Sequence, residues 1–119
     1  MKTVRTFELY KQAYGIILDV YRAIDTFPKN EEYGLASQLK RAAVSIAANL
    51  AEGYRKTSSK EKLHFYNIAL CSLEECMLYT ALAHDLNYHD MKQIEENYDN
   101  LAARLFNYCK SIKANPLKG

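Results

Sequence analysis

Residues Gln38 to Glu61 read QLKRAAVSIAANLAEGYRKTSSKE, and the rest of the chain is organised around them. Leu39, Ala42, Ala43, Ile46 and Leu50 recur at three- and four-residue spacing, which makes one apolar helix face. Ala47, Ala48 and Ala51 lie between them, and alanine combines the highest helix propensity with a small side chain, so a neighbouring helix can approach closely. Ser45 and Asn49 are four apart near that face, placed to bond each other or a facing helix and so set register. Gly53 weakens the helix, and Arg55 and Lys56 suit the negative end of its dipole. Ser58 is the expected N-cap of the next helix, with Glu61 at its third position, a capping box. The stretch therefore predicts a helical hairpin.

The same periodicity extends outward to both termini. In the first helix, Phe7, Tyr10, Tyr14, Ile17, Tyr21 and Ile24 form an expected seam, with a second stripe of Leu9, Ala13, Ile16, Val20, Ala23 and Phe27 beside it. Pro28 ends that helix, and residues 29–32 read as a solvated connection. The third helix is apolar over most of its circumference, with Leu63, Tyr66, Leu70, Leu73, Met77, Thr80 and Ala81 as its main stripe. Asp90 is an expected N-cap, with Gln93 three residues on, and Ile94, Tyr98, Leu101, Leu105, Tyr108 and Ile112 form the last seam. The expectation is one all-α domain over residues 1–119, an antiparallel up-down-up-down four-helix bundle with helices at about 6–26, 34–54, 59–86 and 91–113. The width of the apolar faces, in so short a chain, implies contacts between subunits as well as within one.

Cys71, Cys76 and Cys109 are odd in number and lack CxxC spacing, which reads as reduced, mostly packed thiols of a cytoplasmic protein. The opening MKTVRTFELYKQ lacks the apolar core of a signal peptide, and no run is long enough to span a membrane. No cofactor or metal site is expected. Glu61 and His64 match one half of a di-metal bundle motif, but its second half is missing. Glu74 and Glu75 are adjacent on a helix and so point about 100° apart, and His64, His84 and His89 have no evident nucleophile to serve. The chain reads as a non-enzyme. Its tyrosines recur at helical spacing and read as core or subunit-interface residues.

The run QLKRAAVSIAANLAEGYRK followed by SSKEKLHFYNIALCSLEECMLYTALAHDL resembles the bacterial 23S rRNA intervening-sequence protein family. Gln38, Leu39, Lys40, Arg41, Ala42, Ala43, Ser45, Ile46, Asn49, Leu50, Ala51, Glu52 and Gly53 stand in register with that family's core motif, and Ala69, Ser72 and Glu75 match its second segment. Cys71 departs from the glycine expected before that serine. The resemblance implies an antiparallel four-helix bundle and assembly into ring-like homopentamers. A related branch, the accessory proteins of diversity-generating retroelements, forms a positively charged pentameric barrel that binds nucleic acid.

The net charge of +2 does not by itself argue for nucleic acid, but charge is unevenly spread along the chain. Lys40, Arg41, Arg55, Lys56, Lys60 and Lys62 gather around the second and third helices as a candidate phosphate-binding patch for RNA or DNA, without base readout. Asp85, Asp90, Glu95, Glu96 and Asp99 gather near the start of the fourth. The expected function is a non-enzymatic oligomeric scaffold that contacts RNA or DNA by phosphates. The alternative is a protein-interaction scaffold without a nucleic-acid role. In either case Gln38, Arg41, Ser45, Asn49, Glu52 and Gly53 read as a structural motif, with Glu52 placed to pair with Lys56.

Overall fold

Alternating three- and four-residue apolar steps produce four α-helices in the computed structural model, which describes residues 3–116. They are α1 (Glu8–Ile24), α2 (Leu35–Arg55), α3 (Ser59–Asp85) and α4 (Lys92–Ala114), with short 3-10 turns over Val4–Thr6 and Lys29–Glu31 and no strand among the described residues. Short connections force each helix to run antiparallel to the one before. α2 and α4 each pack against both α1 and α3, which lie diagonally opposite each other, in a body of 49 × 23 × 20 Å.

The helix ends have local causes. Phe7 is extended, so α1 starts at Glu8, while Thr6 belongs to the preceding 3-10 turn. At its far end the Thr26 and Phe27 N–H groups bond back three residues, to Ala23 and Ile24, which tightens the last turn before Pro28. Asn87 takes the left-handed conformation (φ 62°) at the end of α3. Tyr88 N–H then reaches Ala83 O at 2.9 Å and Asn87 N–H reaches His84 O at 3.0 Å, a Schellman ending in which asparagine takes the place usual for glycine. α4 begins one residue later than expected. Asp90 Oδ1 accepts the Lys92 N–H at 3.1 Å, whereas Gln93 bonds Asn97 and takes no part in the cap.

The connection 29–32 is more than a solvated link. Glu31 Oε1 accepts the Leu35 N–H at 3.0 Å and so caps α2, while Tyr88 donates its O–H to Glu31 Oε2 at 2.7 Å. One carboxylate thus starts α2 and ties it to the α3–α4 turn.

The core takes the second stripe of α1 rather than the expected seam. Leu9, Ala13, Ile16, Val20, Ala23 and Phe27 are buried. In the seam Ile24 is buried and Phe7, Tyr10 and Ile17 are half-buried, but Tyr14 and Tyr21 are exposed. From α2 come Leu39, Ala42, Ala43, Ile46 and Leu50, and from α4 Ile94, Tyr98, Leu101, Leu105 and Ile112, all buried as their spacing predicts. α3 sends Tyr66, Ala69, Leu73, Cys76 and Ala83 inward but leaves Ile68, Leu78 and Leu82 exposed, so it is not enclosed on all sides within one chain. Cys76 and Cys109 are packed and Cys71 is exposed, all three as free thiols. Burial pushes the Cys76 thiol up to about 12.

Candidate nucleic-acid interface

The turn from α2 to α3 is closed by the Ser58 hydroxyl, the N-cap of α3. Ser58 Oγ accepts the Glu61 N–H at 3.2 Å and its hydroxyl meets Glu61 Oε1 at 3.2 Å. Lys62 Nζ donates to the last α2 carbonyls, Gly53 O at 3.1 Å and Tyr54 O at 2.9 Å. Burial lowers its pKa. Lys62 is therefore a helix C-cap supplied by the next helix, with its charge directed at backbone carbonyls.

The other five basic residues of the expected patch separate into two groups. Arg55 pairs with Glu52 at 3.4 Å, which replaces the expected Glu52–Lys56 pair. Lys56 lies 5.3 Å from the Phe65 ring centroid, and Lys60 is exposed. Lys40 and Arg41 sit fourteen or more residues back along α2, about 20 Å away at the helical rise. Lys40 lies over the Tyr21 ring at 5.1 Å. Arg41 lines a shallow depression of about 230 Å³ with Gln38, Ala42, Ser45, Ser72 and Glu75. The six do not form one patch.

The polar residues of the Gln38–Gly53 motif set the α2–α3 register. Ser45 Oγ and Ser72 Oγ are 2.8 Å apart, and Asn49 Nδ2 donates to Ser45 O at 2.9 Å and to Ser45 Oγ at 3.2 Å. Gln38 is exposed, and Gly53 lies against the Tyr66 ring.

What the tertiary structure does assemble is a basic pole. Phe7 of the first segment, Tyr54 of α2, Tyr66 of α3 and Tyr108 of α4 meet at one level, with ring centroids 4.9 to 6.2 Å apart. Gln12 with Asn100 and Ser45 with Ser72 mark a level nearer mid-bundle. Among the described residues, nine basic ones lie on the aromatic side of that middle: Arg5, Lys11, Arg55, Lys56, Lys60, Lys62, Arg104, Lys110 and Lys113. Only Glu8, Glu52 and Glu61 oppose them, and Glu8 is paired with Lys11 at 3.3 Å. The other half carries eleven acidic residues: Asp19, Asp25, Glu31, Glu32, Glu74, Glu75, Asp85, Asp90, Glu95, Glu96 and Asp99. Its described basic residues are Arg22, Lys29, Lys40, Arg41 and Lys92. A chain of small net charge is thus strongly bipolar along its long axis. Arg5, Lys11, Arg104, Lys110 and Lys113 escape a reading that groups charges by sequence proximity. The signal for them is topological, because an up-down bundle brings the start of α1 and the end of α4 to the α2–α3 turn.

A cleft of about 740 Å³ opens at this pole, lined by Thr6, Phe7, Glu8, Leu9, Tyr54, Arg104, Asn107 and Tyr108. Phe7 and Tyr54 stack there at 4.9 Å with an interplanar angle of 27°. Arg104 Nη1 donates to Gln12 Oε1, and Gln12 Nε2 to Asn100 Oδ1 at 2.8 Å, so a polar ladder between α1 and α4 holds the guanidinium. His64 is exposed, with its ring edge-on to Phe65, and no group of three or more His, Cys, Asp or Glu among the described residues could hold a metal ion. No described helix is long and apolar enough to cross a membrane.

Fold and surface define an antiparallel four-helix-bundle protein with charge sorted by pole. The chain belongs to the 23S rRNA-intervening sequence protein family, whose model matches residues 5–111. It is similar in fold to a crystal structure from Bacteroides thetaiotaomicron VPI-5482, described as a protein with unknown function from the S23 ribosomal protein family. The two superpose with a TM-score of 0.79 at 18% identity, over 86% of this chain and 98% of that one. No curated protein matches the chain.

Proposed function

We propose that this protein is a non-catalytic, self-associating helical scaffold that holds RNA or DNA by its phosphates at the basic pole. The observation that carries this reading is the sorting of charge among the described residues, nine basic ones against three acidic ones in one half of the bundle. Such a surface attracts a polyanion and releases its counterions on contact, whatever the net charge of the whole chain. A family described by an rRNA insertion is in keeping with an RNA partner met in the cytoplasm.

Self-association is supported by two apolar stripes left uncovered on diagonally opposite helices. On α1 they are Tyr14, Leu18 and Tyr21, and on α3 Ile68, Leu78 and Leu82. Different faces on opposite sides favour head-to-tail contacts, which close into rings, and the homopentamer implied by the family resemblance is such a ring. Subunits related by a ring axis parallel to the bundle would present all their basic poles on one side, multiplying a modest affinity by avidity.

The test is light scattering after size exclusion, with and without mixed RNA and DNA, across a salt series. A discrete oligomer should bind at low salt and release at high salt. Lys56→Glu with Lys60→Glu should weaken binding at least tenfold and flatten its salt dependence, whereas Lys40→Glu with Arg41→Glu should do much less. Equal losses from both pairs, or none from the first, would refute the assignment to this pole. The second reading, a scaffold for a protein partner, draws on the acidic half, and a complex that survives nuclease and high salt would favour it.

A further inference from the structure

Resting on the nucleic-acid reading above, we infer that the cleft between the start of α1 and the ends of α2 and α4 receives one unpaired nucleotide, so that the protein selects single strands over duplex. The aromatic rings at this end close the core, and packing alone would account for them. Packing does not account for an open concavity of about 740 Å³ beside them, within the range of small-molecule sites, walled by half-buried Phe7, Tyr54 and Tyr108 and edged by Arg104 and Asn107.

Each component suits a nucleotide. Aromatic side chains pack on any base, because every base has a π-face. Phe7 and Tyr54 already stack on each other and Lys62 Nζ lies 5.7 Å from the Tyr54 centroid, so a base in the cleft extends this cluster at its open rim. Arg104 has one N–H engaged by Gln12, which fixes its position and leaves further donors for a phosphate. Asn107 is exposed and offers both a donor and an acceptor amide group to a base edge. Glu8, the one acidic residue in the lining, is already paired with Lys11, which limits its repulsion of a phosphate. Charge complementarity commits the cleft to an anionic aromatic occupant rather than an apolar one, since Lys110, Lys113 and Arg5 lie on the same pole. A duplex cannot use it, because its bases are stacked on one another and their faces are not available.

The test uses the full-length protein and three probes of equal length, about ten nucleotides: oligothymidylate, an abasic strand with the same phosphates, and a duplex. Oligothymidylate should bind about tenfold more tightly than the abasic strand at matched salt, and more tightly than the duplex. Two variants assign that difference to the cleft. Asn107→Leu adds apolar bulk at an exposed position that the core does not need, and Tyr54→Leu removes the ring while keeping an apolar side chain. Both should abolish most of the preference for base-bearing strands and leave binding of the abasic strand unchanged. Equal affinity for the base-bearing and abasic strands overturns the cleft and leaves the phosphate reading intact. So does a preference that persists in Asn107→Leu. If no probe binds at low salt, the cleft and the basic pole fall together.

Discussion

Gly53 seats the ring of Tyr66. A Cβ at residue 53 would lie 2.8 Å from Tyr66 Cδ1 and closer still to Cε1, so only glycine lets α3 bring this tyrosine to full burial against α2. The helix runs on through Gly53 to Arg55, so the residue is no terminator. Gly53→Ala should therefore destabilise the protein by about 1–3 kcal/mol, although helix propensity alone would favour alanine by about 1 kcal/mol. Thermal melts measure the net effect. Combination with Tyr66→Leu should recover part of the loss, and simple additivity would show that the two residues do not touch.

The Ser45–Ser72 bridge should display the asymmetry of buried polar pairs. Ser45→Ala leaves the Ser72 hydroxyl, nearly inaccessible, without its partner at 2.8 Å, and should cost about 1–3 kcal/mol. Replacing both serines by alanine should cost less than the single change. A double variant as unstable as the sum of the singles would mean that the bridge is not formed in solution.

Caps at the α2–α3 turn should separate structural from binding cations. Ser58→Ala is expected to lose about 1 kcal/mol with its N-cap bond. Lys62→Met is expected to lose a similar amount, about 1 kcal/mol, with the donor to Gly53 O and Tyr54 O. Lys60→Met, on the surface, should stay within about 0.5 kcal/mol of the parent. Denaturant unfolding of the three variants distinguishes them, and a stable Lys62→Met would return that lysine to the pool of free cations.

Acid should loosen the Glu31 tie. The Leu35 N–H first, and the Tyr88 O–H second, hold the Glu31 carboxyl below its ordinary value of 4.5. Folding therefore favours the ionised form. The stabilisation is complete above the pH at which the unfolded carboxyl titrates and disappears as pH falls through the lower folded value. Glu31→Gln should melt below the parent at neutral pH, and the gap should close as pH falls through the folded carboxyl's lowered value. A constant gap across that range would show that ionisation is not what the cap uses.

If the proposed self-association uses the α3 stripe, breaking that stripe should leave a folded monomer. Leu78 is 63% exposed and Leu82 43% exposed in the single chain, so Leu78→Lys with Leu82→Lys removes nothing from the core. Light scattering should fall to the monomer mass while helical circular dichroism is retained. An unchanged oligomer would exclude this stripe as the contact.

Much of the fold is legible locally. Helix number and type, and boundaries to within one or two residues, follow from apolar spacing, Pro28 and the cap at Ser58, because helix formation and termination are decided by residues within one turn of each other. Asp90, the expected cap of α4, stands one residue before the N-cap Met91 and accepts the Lys92 N–H from there. The Ser45–Asn49 pair is legible for the same reason. Periodicity says that a stripe is apolar but not what it will face. Only packing decided that α1 turns the Leu9–Ile16–Val20 stripe inward and leaves Tyr14 and Tyr21 outside. Packing also made Gly53 a seat for Tyr66 and Lys62 a cap for α2. Arg55, Lys56, Lys60 and Lys62 are neighbours in the sequence, but the rest of the basic pole belongs to tertiary structure. Arg5, Lys56 and Arg104 are far apart along the chain, and antiparallel topology, which charge order in the sequence does not encode, brings them to one end and sends Lys40 and Arg41 toward the other.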